Sequence, residues 1–166
     1  MFGSYTQSVG APNGATGTFG PTVDVVVTSH DALAVGDCVA LPTPNVYNTT
    51  TGEVGWTTGS STSQPAAADF VPETRKIFGI VMTAATASSK PVRVRLRGAC
   101  LAKTAASTTA YKPVMPTASS YTLSAAAAAA SGNATVGFNL VAVGLSVAVS
   151  PCMFDGLYGF GGVQEA

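Results

Sequence analysis

The feature that most constrains this chain is a strand pattern that occurs twice. The first copy opens on Val35-Gly36-Asp37-Cys38-Val39-Ala40-Leu41. After a long loop it continues in Ile77-Phe78-Gly79-Ile80-Val81-Met82-Thr83. A short turn then leads to Pro91-Val92-Arg93-Val94-Arg95-Leu96-Arg97-Gly98. The second copy opens on Tyr111-Lys112-Pro113-Val114-Met115-Pro116 and continues in Val136-Gly137-Phe138-Asn139-Leu140-Val141-Ala142-Val143. It closes on Leu145-Ser146-Val147-Ala148-Val149-Ser150-Pro151. Each copy reads as opening strand, long loop, strand with an internal Gly, short turn, closing strand. Short β-branched runs bounded by Gly and Pro are strand signals. The chain is therefore expected to be all-β: a small barrel or sandwich built from two similar strand sets, with an extended N-terminal arm and at most one short helix.

Composition narrows what such a scaffold does. Apolar residues make up 46% of the 166, enough for a real core, but charged residues only 10%, with a net charge of zero. Ordinary soluble domains carry roughly 25% charged residues. A surface this poor in charge is either covered by neighbours, as in an oligomer or assembly component, or solvated by Ser and Thr hydroxyls. Without a basic excess, nucleic acid is not an expected partner. The longest nearly apolar stretch, residues 138–149, is shorter than the roughly 20 residues of a membrane helix, so no membrane partner is expected. The first residues lack the basic and apolar blocks of a secretory signal. Cys38, Cys100 and Cys152 are odd in number and show no CxxC spacing. They are expected to be buried free thiols, as suits a reducing cytosol, and no metal or cofactor is expected.

Three regions follow. Residues 1–21, with five Gly and two Pro, read as a flexible arm whose large side chains are Phe2, Tyr5 and Phe19. Residues 22–155 form the β-domain, beginning with the strand Thr22-Val23-Asp24-Val25-Val26-Val27-Thr28. Residues 45–72 are a Thr/Ser/Gly-rich insertion in which Val46, Tyr47, Val54 and Trp56 suggest a small hairpin around Thr51-Gly52. Trp56, the single Trp, is either an interface anchor or a cover for one end of the core. On the Pro91–Gly98 strand, Val92, Val94 and Leu96 share one face and Arg93, Arg95 and Arg97 the other. That arginine stripe is either a solvated outer face or a docking stripe for acidic groups on a partner. Six consecutive alanines between Leu123 and Ser131 favour a helix of about two turns, the alternative being a tight-packing loop or strand at an interface. Residues 135–150 are expected to form the last two strands, broken at Gly144. Residues 156–166 read as a flexible Gly/aromatic tail with Tyr158 and Phe160 as anchors.

Groups suited to catalysis are sparse. The single histidine, His30, sits in a turn beside Asp31. Such a pair supplies two members of a hydrolytic triad, but no GxSxG nucleophile setting accompanies it, and turn capping is the simpler reading. The eight acids are scattered without glycosidase-like or metal-like spacing. The expectation is a protein without catalytic residues.

The order of features resembles the capsid decoration, or cement, proteins of tailed bacteriophages. The matching stretches are Val35-Gly36-Asp37-Cys38-Val39, Phe78-Gly79-Ile80-Val81-Met82-Thr83-Ala84-Ala85 and Val92-Arg93-Val94-Arg95-Leu96-Arg97-Gly98-Ala99-Cys100. A second set runs from Val136-Gly137-Phe138 to Val149. The insertion at 45–72 and the Gly/aromatic tail depart from that pattern. The resemblance implies a structural virion protein, made in the host cytoplasm, that binds the outside of an icosahedral shell. Its implied partners are the major capsid protein and itself, as a homotrimer. Candidate contacts are Phe2, Tyr5, Phe19, Trp56, Arg93, Arg95, Arg97, Tyr158 and Phe160. Three other readings stay open: another virion part such as a fibre, spike or minor capsid protein, a carbohydrate-binding module stacking sugars on Trp56, Tyr47 and Tyr111, and an enzyme using His30 and Asp31.

Overall fold

The structure, a computed structural model, describes residues 5–6, 22–57, 59–70, 76–126 and 135–157. The strands in chain order are β1 Tyr5–Thr6, β2 Thr22–Thr28, β3 Cys38–Ala40, β4 Val46–Asn48, β5 Glu53–Gly55, β6 Phe78–Val81, β7 Pro91–Thr104, β8 Pro113–Pro116, β9 Leu123–Ala125, β10 Gly137–Asn139 and β11 Ala148–Asp155. The fold is all-β, and its two strand sets pair in the same way. In the first, β3 pairs antiparallel with β6 and β6 with β7. In the second, β8 pairs antiparallel with β10 and β10 with β11. The two closing strands then join: β7 and β11 run antiparallel from Arg97↔Asp155 to Thr104↔Ala148. β9 pairs with β8 and touches β7 at Thr104↔Leu123. That contact closes a five-stranded barrel, β7-β11-β10-β8-β9, while β1, β2, β3 and β6 extend the sheet from it.

The long strand β7 carries both halves. Its side chains alternate strictly, with every even-numbered residue from Val92 to Thr104 buried. Sequence reading ends this strand at Gly98; the structure runs it six residues further. Gly98 has φ +114°, and a Cβ there would lie 2.8 Å from Thr22 Cγ2. Glycine thus lets the strand change direction under β2 without stopping, and the β2·β7 register shifts beside it, between Val23 and Asp24. Beyond it, β7 pairs with the second half.

Two apolar clusters lie on either side of β3 and β6. Cys38, Ala40, Phe78 and Ile80 face the first, with Cys100, Ala102, Val114, Leu123, Val136, Cys152 and Phe154 from the barrel. Val39, Leu41 and Val81 face the second, with Val92, Val94 and Leu96. A strand buried on both faces reads as a continuous apolar run, as both β3 and β6 do.

Other expectations are corrected. Leu123–Ala125, expected to begin a helix, is strand β9, with Leu123 fully buried. Pairing to β8 and burial in the first cluster outweigh the helix preference of Ala, which is worth under about 1 kcal/mol per residue. The remaining alanines, within 127–134, lie outside the described residues. The last strands are also displaced. Residues 140–147 are a connecting loop, and β11 runs through Pro151 to Asp155. Gly156 and Leu157, which the sequence places at the start of the tail, are tied to the body: Gly156 N–H donates to Leu96 O at 2.8 Å, and Leu157 packs on the second cluster.

All three cysteines are free and buried, and all belong to the first cluster. Cys100 and Cys152 stand opposite each other on β7 and β11. Burial, with smaller effects from Cys100 and Asp37, pushes the Cys38 thiol well above its usual range. The hydrogen bond with Cys100 and then burial do the same for Cys152. The folded chain therefore keeps protons that the unfolded chain releases near pH 9. By linkage, this contribution is fully present below that pH and is lost as pH rises through it. The urea midpoint is expected to be level from about pH 7 to 8 and to fall between about pH 9 and 11. The fall becomes shallower in Cys38→Ala; an identical slope in the variant contradicts this account.

Candidate functional site

The arginine stripe lies where the alternation of β7 puts it, on the outer face, but it is not a free stripe. Asp24, the one acid in the Val-rich strand β2, stands opposite Arg95. Its carboxylate accepts from Arg95 Nε at 2.8 Å and from Arg95 Nη2 at 3.1 Å, a two-pronged pairing. Arg95 Nη1 donates to Ala99 O, and the Arg95 side chain is only 15% exposed. Arg93 Nε lies 3.8 Å from the other Asp24 oxygen, and Arg97 Nε lies 3.4 Å from Asp155 Oδ2. Both of those arginines are half-exposed. The docking-stripe expectation is corrected accordingly: Arg95 serves the fold, and only Arg93 and Arg97 present guanidinium to solvent. The signal for this was in the sequence, as an isolated Asp within a β-branched strand.

Trp56 also turns inward. Its Nε1 donates to Pro42 O at 2.6 Å, and the ring packs against the second cluster. The structure thus places Trp56, half-buried, over one end of the core. The hairpin it anchors is present, β4 paired with β5 with Tyr47 opposite Val54. Asn45 clamps its base: Asn45 N–H donates to Gly55 O, Asn45 Oδ1 accepts from Thr57 N–H, and Asn45 Nδ2 donates to Thr57 Oγ1. Val46, Tyr47 and Val54 remain exposed on it. Past the hairpin the insertion returns to the body, where Ser61 bridges Thr28, Ser63 bridges Ala40 and Phe70 packs on Phe78. Tyr111 is exposed at the entry to β8.

His30 and Asp31 are both exposed. Asp31 Oδ2 accepts from Tyr121 Oη at 2.6 Å, which ties the turn to the segment two residues before β9. Burial and that hydrogen bond push the Tyr121 phenol above its usual range. His30 is held through its backbone, N–H to Thr62 Oγ1. Among the described residues, no three His, Cys, Asp or Glu are grouped to hold a metal ion. Among them, too, no helix is long and apolar enough to cross a membrane. Tyr5 lies on β1, where its backbone pairs with Val23. Phe2, Phe19, Tyr158 and Phe160 lie outside the described residues.

The surface feature that sequence reading missed is apolar. Leu101 on β7, Val149 on β11, Val147 just before it and Val35 are all exposed, and so are Val141 and Leu145 in the 140–147 loop. Their Val-rich pattern, with the small residues between them, is what made that loop resemble a strand. No protein-family model and no curated protein matches the chain.

Proposed function

We propose that this chain is a non-enzymatic structural protein of a virion, a decoration protein that binds the outer surface of an icosahedral bacteriophage capsid and stabilises the shell. Its partners in this reading are the major capsid protein and further copies of itself, as a trimer. The observation that carries the proposal is the joining of two alike strand sets through their closing strands, β7 and β11, into one sheet. That arrangement follows the order of motifs on which the resemblance to decoration proteins rests. What the fold presents is suited to contact: an exposed apolar strip, a clamped hairpin bearing Tyr47, and two half-exposed arginines.

The energetic logic is one of mass action. A protein that binds only the assembled shell stabilises it by mass action, by an amount that grows with the logarithm of its free concentration above the dissociation constant. Copies joined to one another make individually weak contacts act together through effective concentration. Co-sedimentation of the purified chain with bare, expanded icosahedral shells tests the reading.

A further inference from the structure

Two of the three buried thiols meet across the seam that joins the halves of the chain. Cys100 on β7 and Cys152 on β11 are direct antiparallel partners. The backbone fixes the kind of pair they make. Lys103 N–H donates to Gly36 O, and Leu140 N–H donates to Pro151 O. Odd-numbered residues of both strands thus turn their backbone groups away from the shared seam, and Cys100 and Cys152 point theirs into it. Such a hydrogen-bonded pair sets its Cα atoms about 5.5 Å apart. Disulfides most often span Cα separations of about 5.5–6 Å. Both side chains enter the first apolar cluster, and the Cys152 thiol lies within hydrogen-bonding reach of the Cys100 sulfur. Cys38 shares that cluster but stands on β3 opposite Ile80, in register with neither.

We propose that Cys100 and Cys152 are a disulfide-forming pair, closed by a small disulfide oxidant once the chain leaves a reducing compartment. The exchange takes two steps. Cys100, 8% exposed where Cys152 is fully buried, gives up its proton and attacks one sulfur of the oxidant. The oxidant's S–S bond breaks and its first thiol leaves. Cys152 then gives up its proton and attacks the Cys100 sulfur of the mixed disulfide, and the second thiol leaves. The protein loses two electrons and two protons, and the oxidant takes them up as two thiols. Burial sets the pace, because a protonated thiol is a poor nucleophile, and reaction proceeds through openings of the β7·β11 seam. Once formed, the bond is uncharged and shielded from reductants by the same cluster. It ties β7 to β11 where the two strand sets join and constrains the unfolded chain between them. Its biological sense, a lock set on release from the host, rests on the virion reading. Its test involves no shell, so the two fail separately.

The reduced full chain is incubated with hydroxyethyl disulfide below its melting range until the free-thiol count stops changing, then alkylated in denaturant. Free thiols are expected to fall from three to one. Trypsin cuts after Arg97 and Lys103, which puts Cys38, Cys100 and Cys152 in separate peptides. A non-reducing peptide map is expected to join Cys100 to Cys152. The melting temperature is expected to rise by about 5 °C or more and to return on reduction with dithiothreitol. Cys38→Ala is expected to form the same bridge, and Cys152→Ala to stop at the mixed disulfide on Cys100, read as the added mass of one hydroxyethylthio group. Three thiols left free, a bridge that includes Cys38, or a bridge that forms only in urea overturns the inference. A bridge that lowers the melting temperature overturns it as well.

Discussion

Gly156→Ala is expected to cost about 3 kcal/mol or more, the upper range for forcing a group into a filled site. Gly156 sits where the end of β11 passes under β6. Its N–H donates to Leu96 O at 2.8 Å, and its carbonyl accepts from Phe78 N–H at 3.2 Å. A Cβ at this position would lie 1.9 Å from Phe78 O, 2.7 Å from Phe78 C and 2.8 Å from the Phe154 ring. The first two are backbone atoms and cannot swing aside. Relief requires moving β6, which breaks the Phe78–Gly156 bond and shifts two fully buried phenylalanines of the first cluster. Gly144 provides the control, because nothing lies within 4 Å of a Cβ built there. Gly144→Ala is expected to stay within about 0.5 kcal/mol of wild type. Urea midpoints of the two variants make the comparison, and equal midpoints rule out this packing.

Asp24→Ala is expected to cost about 3 kcal/mol, because it strands a mostly buried guanidinium. Arg95 directs two donors at Asp24 and one at Ala99 O. Arg93 offers no replacement, being itself cationic and drawn to the same carboxylate. The cost comes from the unpaired partner and not from the pair, since a buried ion pair is often no better than apolar residues of similar volume. The double variant Asp24→Leu with Arg95→Met is therefore expected to recover most of the loss. Thermal melts of the three chains decide it: a double variant as unstable as Asp24→Ala shows that the network itself holds β2 to β7.

These two positions show how far the sequence is readable. The strands are legible because side-chain alternation and β-branching are local: Val92, Val94 and Leu96 are buried as their spacing says. The hairpin at Val46–Asn48 and Glu53–Gly55 is legible for the same reason, through its Thr-Gly turn. Gly156 was not legible, because its constraint comes from Phe78, far away in the chain. Arg95 likewise looked like a surface charge until Asp24, 71 residues earlier, was brought beside it. The alanine run misled because local helix preference is weak next to the burial of Leu123 and its pairing with β8. The 140–147 loop misled because an exposed apolar strip and a buried strand have the same composition. Only the fold separates them, and what it separates out is the candidate contact surface.

The central claim is that this chain binds the outside of an assembled shell. It is tested most directly by adding purified protein to bare, expanded capsids of the bacteriophage to which the proposal assigns it and sedimenting the shells. Saturable binding in a fixed ratio to the major capsid protein, with no binding to that protein when unassembled, is the predicted result. Full-length protein left entirely in the supernatant, at concentrations where it is folded and self-associated, would contradict it.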